Sequence, residues 1–165
     1  MLDDCLAPNL HLVICGDAVG RVSAKQESYY ADPRNKFWRA LHAVGLTPRE
    51  LRPSEYSLLI SFGVGLTDLV KGQAGTNRVI DYSRVDYAAF EQMIRNVNPR
   101  VLCFNGKNAA SEFLGRKSPK FGRQPDLIGD TLIYVASSTS GSACRYWDIT
   151  TWREVADAAM AGAAR

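Results

Sequence analysis

The 165-residue sequence contains no apolar run near the roughly 18 residues that a membrane-spanning helix requires, which argues against a helical membrane protein. Its start, MLDDCLAPNL, has neither the basic flank nor the apolar stretch of a signal peptide. The expected compartment is therefore the cytoplasm, a bacterial cytoplasm or nucleoid being favoured over a nucleus. The four cysteines, Cys5, Cys15, Cys103 and Cys144, are far apart and form no C-x-x-C pair. Cys15 and Cys103 read as small strand hydrophobes, and the case for a metal or iron–sulfur cluster is poor. Only two histidines occur, His11 and His42, too few for a Ser-His-Asp triad or a histidine metal site without coincidence. There is no G-x-x-x-x-G-K-[ST], hence no P-loop, and "GDAVG" is not the G-x-G-x-x-G of a dinucleotide fold. Internal repeats, linkers and low-complexity tracts are also missing. A length of 165 residues with 46% apolar and 22% charged residues fits one globular domain, expected over 1–165 with its core at about 10–160. The net charge of +3 permits a polyanionic partner without demanding one.

What is present is an alternation of apolar runs and helical patterns. LHLVIC (10–15), SFGVGLTDLV (61–70), RVLCFNG (100–106) and TLIYVAS (131–137) read as strands. Phe37, Leu41 and Val44 space as a helix entered through Asp32-Pro33 and stopped at Gly45. Thr47-Pro48-Arg49-Glu50 has the capping-box pattern, so a further short helical stretch is expected to begin there. Residues 85–97 place Phe90, Ile94 and Val97 on one stripe, ended by Asn98-Pro99. A small-residue helix follows through Ala109, Phe113 and Leu114, and a closing helix carries Trp152, Val155, Ala156 and Ala159. The expected fold is a three-layer α/β/α sandwich around a short, mostly parallel sheet.

In such sheets ligands bind beyond the carboxyl ends of the strands. Four polar loops leave strand ends, Gly16–Tyr30, Gly65–Lys71, Asn105–Asn108 and Ser137–Arg145, and they should converge on one mouth. These loops are rich in Ser, Thr, Gly, Asn, Asp and Tyr, with arginine and lysine nearby. That set suits a neutral planar ligand and a phosphate backbone.

The segment "GDAVGRVSA", followed after five residues by "YYADPRNKFWRALHAVGLT", resembles the first motif of the mismatch-specific uracil/thymine DNA glycosylases. This branch of the uracil-DNA glycosylase superfamily runs roughly G-I-N-P-G-x-x-S-A, then F-x-H-P-x-N-R-F-W. "GLTDLV" is similar to its G-[VL]-T-x-[LM]-V segment and "VLCFNGKNA" to its L-x-x-x-G-K-x-A strand end. "STSGSACR" stands where the family has N-P-S-G-L-S-R. Order and spacing hold from about residue 10 to about 147. The resemblance implies excision of uracil, and of related deaminated or modified bases, from uracil-containing or mismatched DNA. The base flips into a pocket, water cleaves the N-glycosidic bond, and the enzyme acts as a monofunctional monomer without metal or cofactor.

The sequence departs from that pattern at informative places. The family's water-positioning Asn falls on Ala18, its motif-two Asn-Pro on Ser138-Thr139, and its intercalating Leu on Ser142. Two carboxylates are candidates for the catalytic group. Asp68 is preferred, on a loop at a strand end that would hold it partly buried with a raised pKa. Asp17 is the alternative, beside the vacated position. Tyr30 takes the place of the stacking Phe. Gly16, Ala18 and Gly20 would bring backbone to the base, Ser23 would meet the pyrimidine 5-position, and Asn35 would fix a loop. Asn105 would either read a base edge or satisfy local backbone. Ser138, Ser140, Gly141 and Ser142 would contact phosphates, Arg145 would enter the helix, and Lys107 would meet the backbone, as would Arg21, Lys25, Arg116, Lys117, Lys120 and Arg123. Two other readings remain: a superfamily member that binds such DNA without cutting, and a small-molecule nucleotide-binding α/β protein.

Overall fold

The computed structural model describes residues 2–76 and 78–161. Five strands form one sheet in the order β2-β1-β3-β5-β4. They are β1 (Leu12–Gly16), β2 (Val64–Asp68), β3 (Val101–Asn105), β4 (Gly122–Ile128) and β5 (Thr131–Ala136). The first four in spatial order, β2, β1, β3 and β5, run parallel, and β4 is antiparallel to β5. Buried on both faces, the parallel strands read as near-continuous apolar runs, which is why they are visible in the sequence.

Each sheet face carries its own core because side chains alternate along a strand. Leu12, Ile14, Val101 and Cys103 pack with Phe37 and Leu41 of α2 (Phe37–Ala43) and with Trp152, Val155 and Ala159 of α5 (Ile149–Met160). Val13, Cys15, Leu102 and Phe104 pack with Phe90 and Ile94 of α3 (Tyr87–Val97) and with Ala109 and Ala110 of α4 (Lys107–Leu114). The result is the expected helix–sheet–helix arrangement. Cys15 and Cys103 are fully buried and behave as the small hydrophobes their sequence setting suggested. None of the described helices is long and apolar enough to cross a membrane.

Four local expectations need correction. The polar segment after β1 contains a short helix, α1 (Arg21–Gln26), closed by Glu27 in the left-handed region. The second helix does not start at Asp32-Pro33: the Asn35 carboxamide oxygen accepts the Phe37 N–H at 3.0 Å and sets its first turn. No helix begins at Thr47, whose hydroxyl donates to the Arg49 carbonyl at 2.7 Å instead of accepting an N–H. The helical stretch starts later as a 3₁₀ segment, Pro53–Phe62, where Glu55 accepts the Arg52 N–H at 2.8 Å. The fourth is β4, absent from the sequence reading.

Candidate functional site

The carboxyl ends of β1, β2, β3 and β5 open into one cavity of about 1060 Å³, as the four polar loops suggested. Gly16, Asp17, Ala18, Gly20 and Ser23 line it from the β1 end, Asp68 from β2, Asn105 and Asn108 from β3 and α4. Tyr30, Asn35, Ser138, Ser140, Gly141 and Ser142 line it as well.

Asp68 is the last residue of β2, not a loop residue, and it pairs with Gly16 in the parallel ladder. The backbone beyond it is fixed to β1 by Leu69 N–H to the Gly16 carbonyl (2.9 Å) and Val70 N–H to the Asp17 carbonyl (2.8 Å). Its side chain is buried, and Oδ2 has no hydrogen-bond partner among the described residues. Burial pushes its pKa up to about 7, with Asp4 and Asp17 adding repulsion and Lys71 opposing them. Lys71 is itself tied to Asp4, whose carboxylate also accepts the Thr67 hydroxyl at 2.8 Å. The lysine charge is thus shared, and burial wins.

Tyr30 stands over the same spot. A Cβ on Gly16 would lie 2.8 Å from Asp68 Oδ1 and 3.3 Å from the Tyr30 hydroxyl, so only glycine leaves both groups their place. The Tyr30 hydroxyl is buried and unpartnered among the described residues. Its pKa is raised well above the usual value by burial and then by the Asp68 charge, while the Asn105 amide opposes the rise. The ring stacks on Phe37 with centroids 3.8 Å apart and planes at 19°. One face is therefore occupied, and a planar ligand can stack only on the other.

Asn105 lines the cavity and also satisfies local groups. Its Nδ2 donates to the Thr139 hydroxyl at 2.9 Å and its Oδ1 accepts the Thr139 N–H at 3.0 Å, so it clamps the loop after β5. Gly106 makes room for that loop: at φ 98° a side chain is strained, and a Cβ would press on Ser138 at 3.1 Å. Ser23 is likewise engaged, its hydroxyl accepting the Ala31 N–H at 3.0 Å.

Asp17 sits in different surroundings. Burial raises its pKa, but the Tyr82 hydroxyl, the Ala109 N–H and the Asn108 amide all favour its charged form, and Glu112 repels it. The cavity thus holds two carboxylates whose environments differ. Asp68 is raised chiefly by burial, whereas burial of Asp17 is partly offset by nearby polar groups.

A sequence model of the Uracil DNA glycosylase superfamily matches residues 4–156 of this chain. The chain belongs to the uracil DNA glycosylase superfamily. Among solved structures it is similar to the solution NMR structure of "a putative Uracil DNA glycosylase from Methanosarcina acetivorans", at 21% identity and a TM-score of 0.62. That match covers 96% of this chain and 94% of the other, and it supports the fold.

Superfamily membership makes DNA the general partner, and the cavity rim is suited to it. Arg21, Arg34 and Arg78 all line the opening. Arg34 is tied to Asp32 at 2.8 Å, and Arg21 and Arg78 are exposed. In the loop after β5 the hydroxyls of Ser138 and Ser140 accept the N–H groups of Ser140 (3.2 Å) and Ser142 (3.3 Å). Those two N–H groups are thereby consumed within the loop, and the Ser140 and Ser142 hydroxyls bond each other at 2.9 Å. The structure does not bring Lys107 or Arg145 to the cavity. Lys107 lies over the Phe121 ring at 4.5 Å, and Arg116 is bound to Asp126 at 2.8 Å. Arg145 is on a 3₁₀ turn, Gly141–Tyr146, where successive side chains rotate by about 120°. Its neighbour Tyr146, 69% exposed, lines the opening instead. Tyr146 and Arg78, both at the opening, were missed in the sequence. The aromatic next to Arg145 was the one available signal, since the segment after β2 matches no motif.

Proposed function

We propose that this superfamily member is a monofunctional DNA glycosylase that hydrolyses the N-glycosidic bond of uracil, and of related deaminated or modified bases, in DNA. The observation that carries the reading is the buried, unpartnered Asp68 carboxyl beside the Tyr30 hydroxyl in a cavity at the strand ends. Such a group, with a pKa near the working pH, suits proton transfer from an attacking water. The glycosidic bond is unreachable inside a stacked duplex, so the base must flip. Tyr30, backed by Phe37, offers the flipped base a rigid face. Cleavage develops positive charge on the sugar, which the Asp17 carboxylate would stabilise. The four sequence motifs favour the mismatch-specific branch, and the protein acts as a monomer without metal or cofactor.

A second reading, DNA binding without excision, is favoured by one observation. Ala18 lines the cavity where the family pattern has a water-positioning Asn, and a methyl group positions no water. An oligonucleotide with U opposite G, incubated with protein in EDTA and then treated with alkali, separates the two. Strand breakage after alkali supports excision. A tight gel shift without breakage supports the binder, and neither result removes both.

A further inference from the structure

The carboxyl-end side of the sheet carries a second group of cations, outside the cavity and apart from Arg21 and Arg78. Lys107 opens α4 directly after Gly106, on which a Cβ would press on Ser138 of the loop after β5. In the chain it stands between Asn105 and Asn108, both of which line the cavity. A cation in the first turn of a helix opposes the helix dipole, and α4 has no acid there to offset it. The Lys107 Nζ is held instead over the Phe121 ring at 4.5 Å, a contact that leaves its charge unneutralised. Phe121 is exposed and immediately precedes β4, which starts opposite Val135 at the carboxyl end of β5. The turn that presents it is braced. The buried Gln124 amide donates to the Lys120 carbonyl at 2.7 Å and to the Gly122 carbonyl at 3.1 Å, and its Oε1 accepts from Arg116 at 3.0 Å. Arg116 is in turn bound to Asp126. Lys120 and Arg123 are exposed, and neither they nor Lys107 has an ion-pair partner among the described residues. Glu154 of α5 comes close, its Oε2 3.4 Å from where a Cβ on Gly122 would stand, without pairing with any of the three.

We propose that Lys107, Lys120 and Arg123 form a phosphate-binding strip for DNA beyond the nucleotide held in the cavity, with Phe121 as the positioning residue that fixes the Lys107 charge. The inference rests on the DNA partner of the glycosylase reading and not on excision. DNA is the occupant because the strip continues the cavity mouth through Asn105, Gly106 and Asn108. Cations without acidic partners gain most by meeting phosphates and releasing their counterions. Three strand spacings separate β1 from β4 in the sheet order, about 14 Å, or about four phosphates along one strand. The strip therefore meets DNA some nucleotides from the lesion and on one side of it. Arg21 and Arg78, on the segments after β1 and β2, serve the other side.

The test is the affinity for a U·G duplex across a range of salt, measured by fluorescence anisotropy in the Asp68→Asn background so that turnover does not intrude. Each of Lys107→Gln, Lys120→Gln and Arg123→Gln should flatten the slope of log affinity against log salt by about 0.9 and weaken binding several-fold. Phe121→Leu keeps an apolar side chain and loses the ring. It should weaken binding by itself and add nothing once Lys107→Gln is present. Arg95→Gln removes the same charge beside Gly129, at the far end of β4, and should leave the slope unchanged. Trimming the duplex to fewer than about four base pairs on one side of the uracil should abolish the effect of the three substitutions, and trimming the other side should not. Unchanged slopes in the three variants, an equal fall in Arg95→Gln, or an effect that survives trimming of each side in turn overturns the proposal. If the protein binds DNA but wild type releases no base, the glycosylase reading fails by itself, and these slopes still decide the strip. Absence of any DNA binding overturns both.

Discussion

Replacing Asp68 by asparagine should stabilise the protein at neutral and alkaline pH while removing its activity. Asn is nearly the same shape as Asp but carries no charge, so the substitution isolates the cost of a buried carboxylate. The folded pKa of about 7 lies above the 3.8 expected in the unfolded chain. Below pH 3.8 both states are protonated and the shift contributes its full stabilisation relative to the charged reference. That stabilisation is lost as pH rises through the folded pKa. At about 1.4 kcal/mol per pH unit, the full loss is about 4 kcal/mol, of which roughly 2.5 kcal/mol falls between pH 5 and pH 8. Urea unfolding of wild type and Asp68→Asn at a series of pH values measures it. The variant should gain on wild type by roughly 2.5 kcal/mol between pH 5 and 8, while its single-turnover excision drops on the order of 10²-fold or more. Stability curves that stay parallel across this range would refute the reasoning, since Asp68 would then ionise as freely folded as unfolded.

Gly16→Ala places a Cβ 2.8 Å from Asp68 Oδ1, so it should lower the unfolding temperature by the equivalent of about 1–3 kcal/mol and displace the carboxyl, cutting excision. Tyr30→Phe should keep most activity in single-turnover assays, whereas Tyr30→Ala should lose the roughly 1–3 kcal/mol of base stacking; equal losses would assign the role to the hydroxyl. Tyr146→Ala should impair excision most from paired U·A, less from U·G and least from single strands, the order expected of a group that fills the vacated stack. Arg145→Ala should instead weaken all three substrates alike and flatten the salt dependence, as a phosphate contact does.

The parallel strands and the helices packed on them were legible because burial on both faces leaves an unbroken apolar run or a clear 3.6-residue stripe. Strand β4 was not, for the opposite reason. Its residues GRQPDLI alternate buried and exposed at the sheet edge, where Pro125 and the charges of Arg123 and Asp126 are tolerated but read as loop. Helix α1, RVSAKQ, has no apolar stripe, and its one buried side chain, Ser23, is polar. The strand-end residues Gly16, Asp17, Asp68 and Asn105 could be placed at the cavity because topology alone carries strand ends to one mouth. Which way side chains leave a 3₁₀ turn is decided by the turn itself, so Tyr146 could not be told from Arg145.

The most direct measurement is the release of free base from a U·G duplex under single-turnover conditions in EDTA, with the product identified by mass, for wild type and Asp68→Asn side by side. Uracil release by wild type that leaves an intact, alkali-labile strand, and a loss on the order of 10²-fold or more in Asp68→Asn at unchanged DNA affinity, is the predicted result. No release by wild type, or equal release by the two proteins, would contradict a glycosylase centred on Asp68.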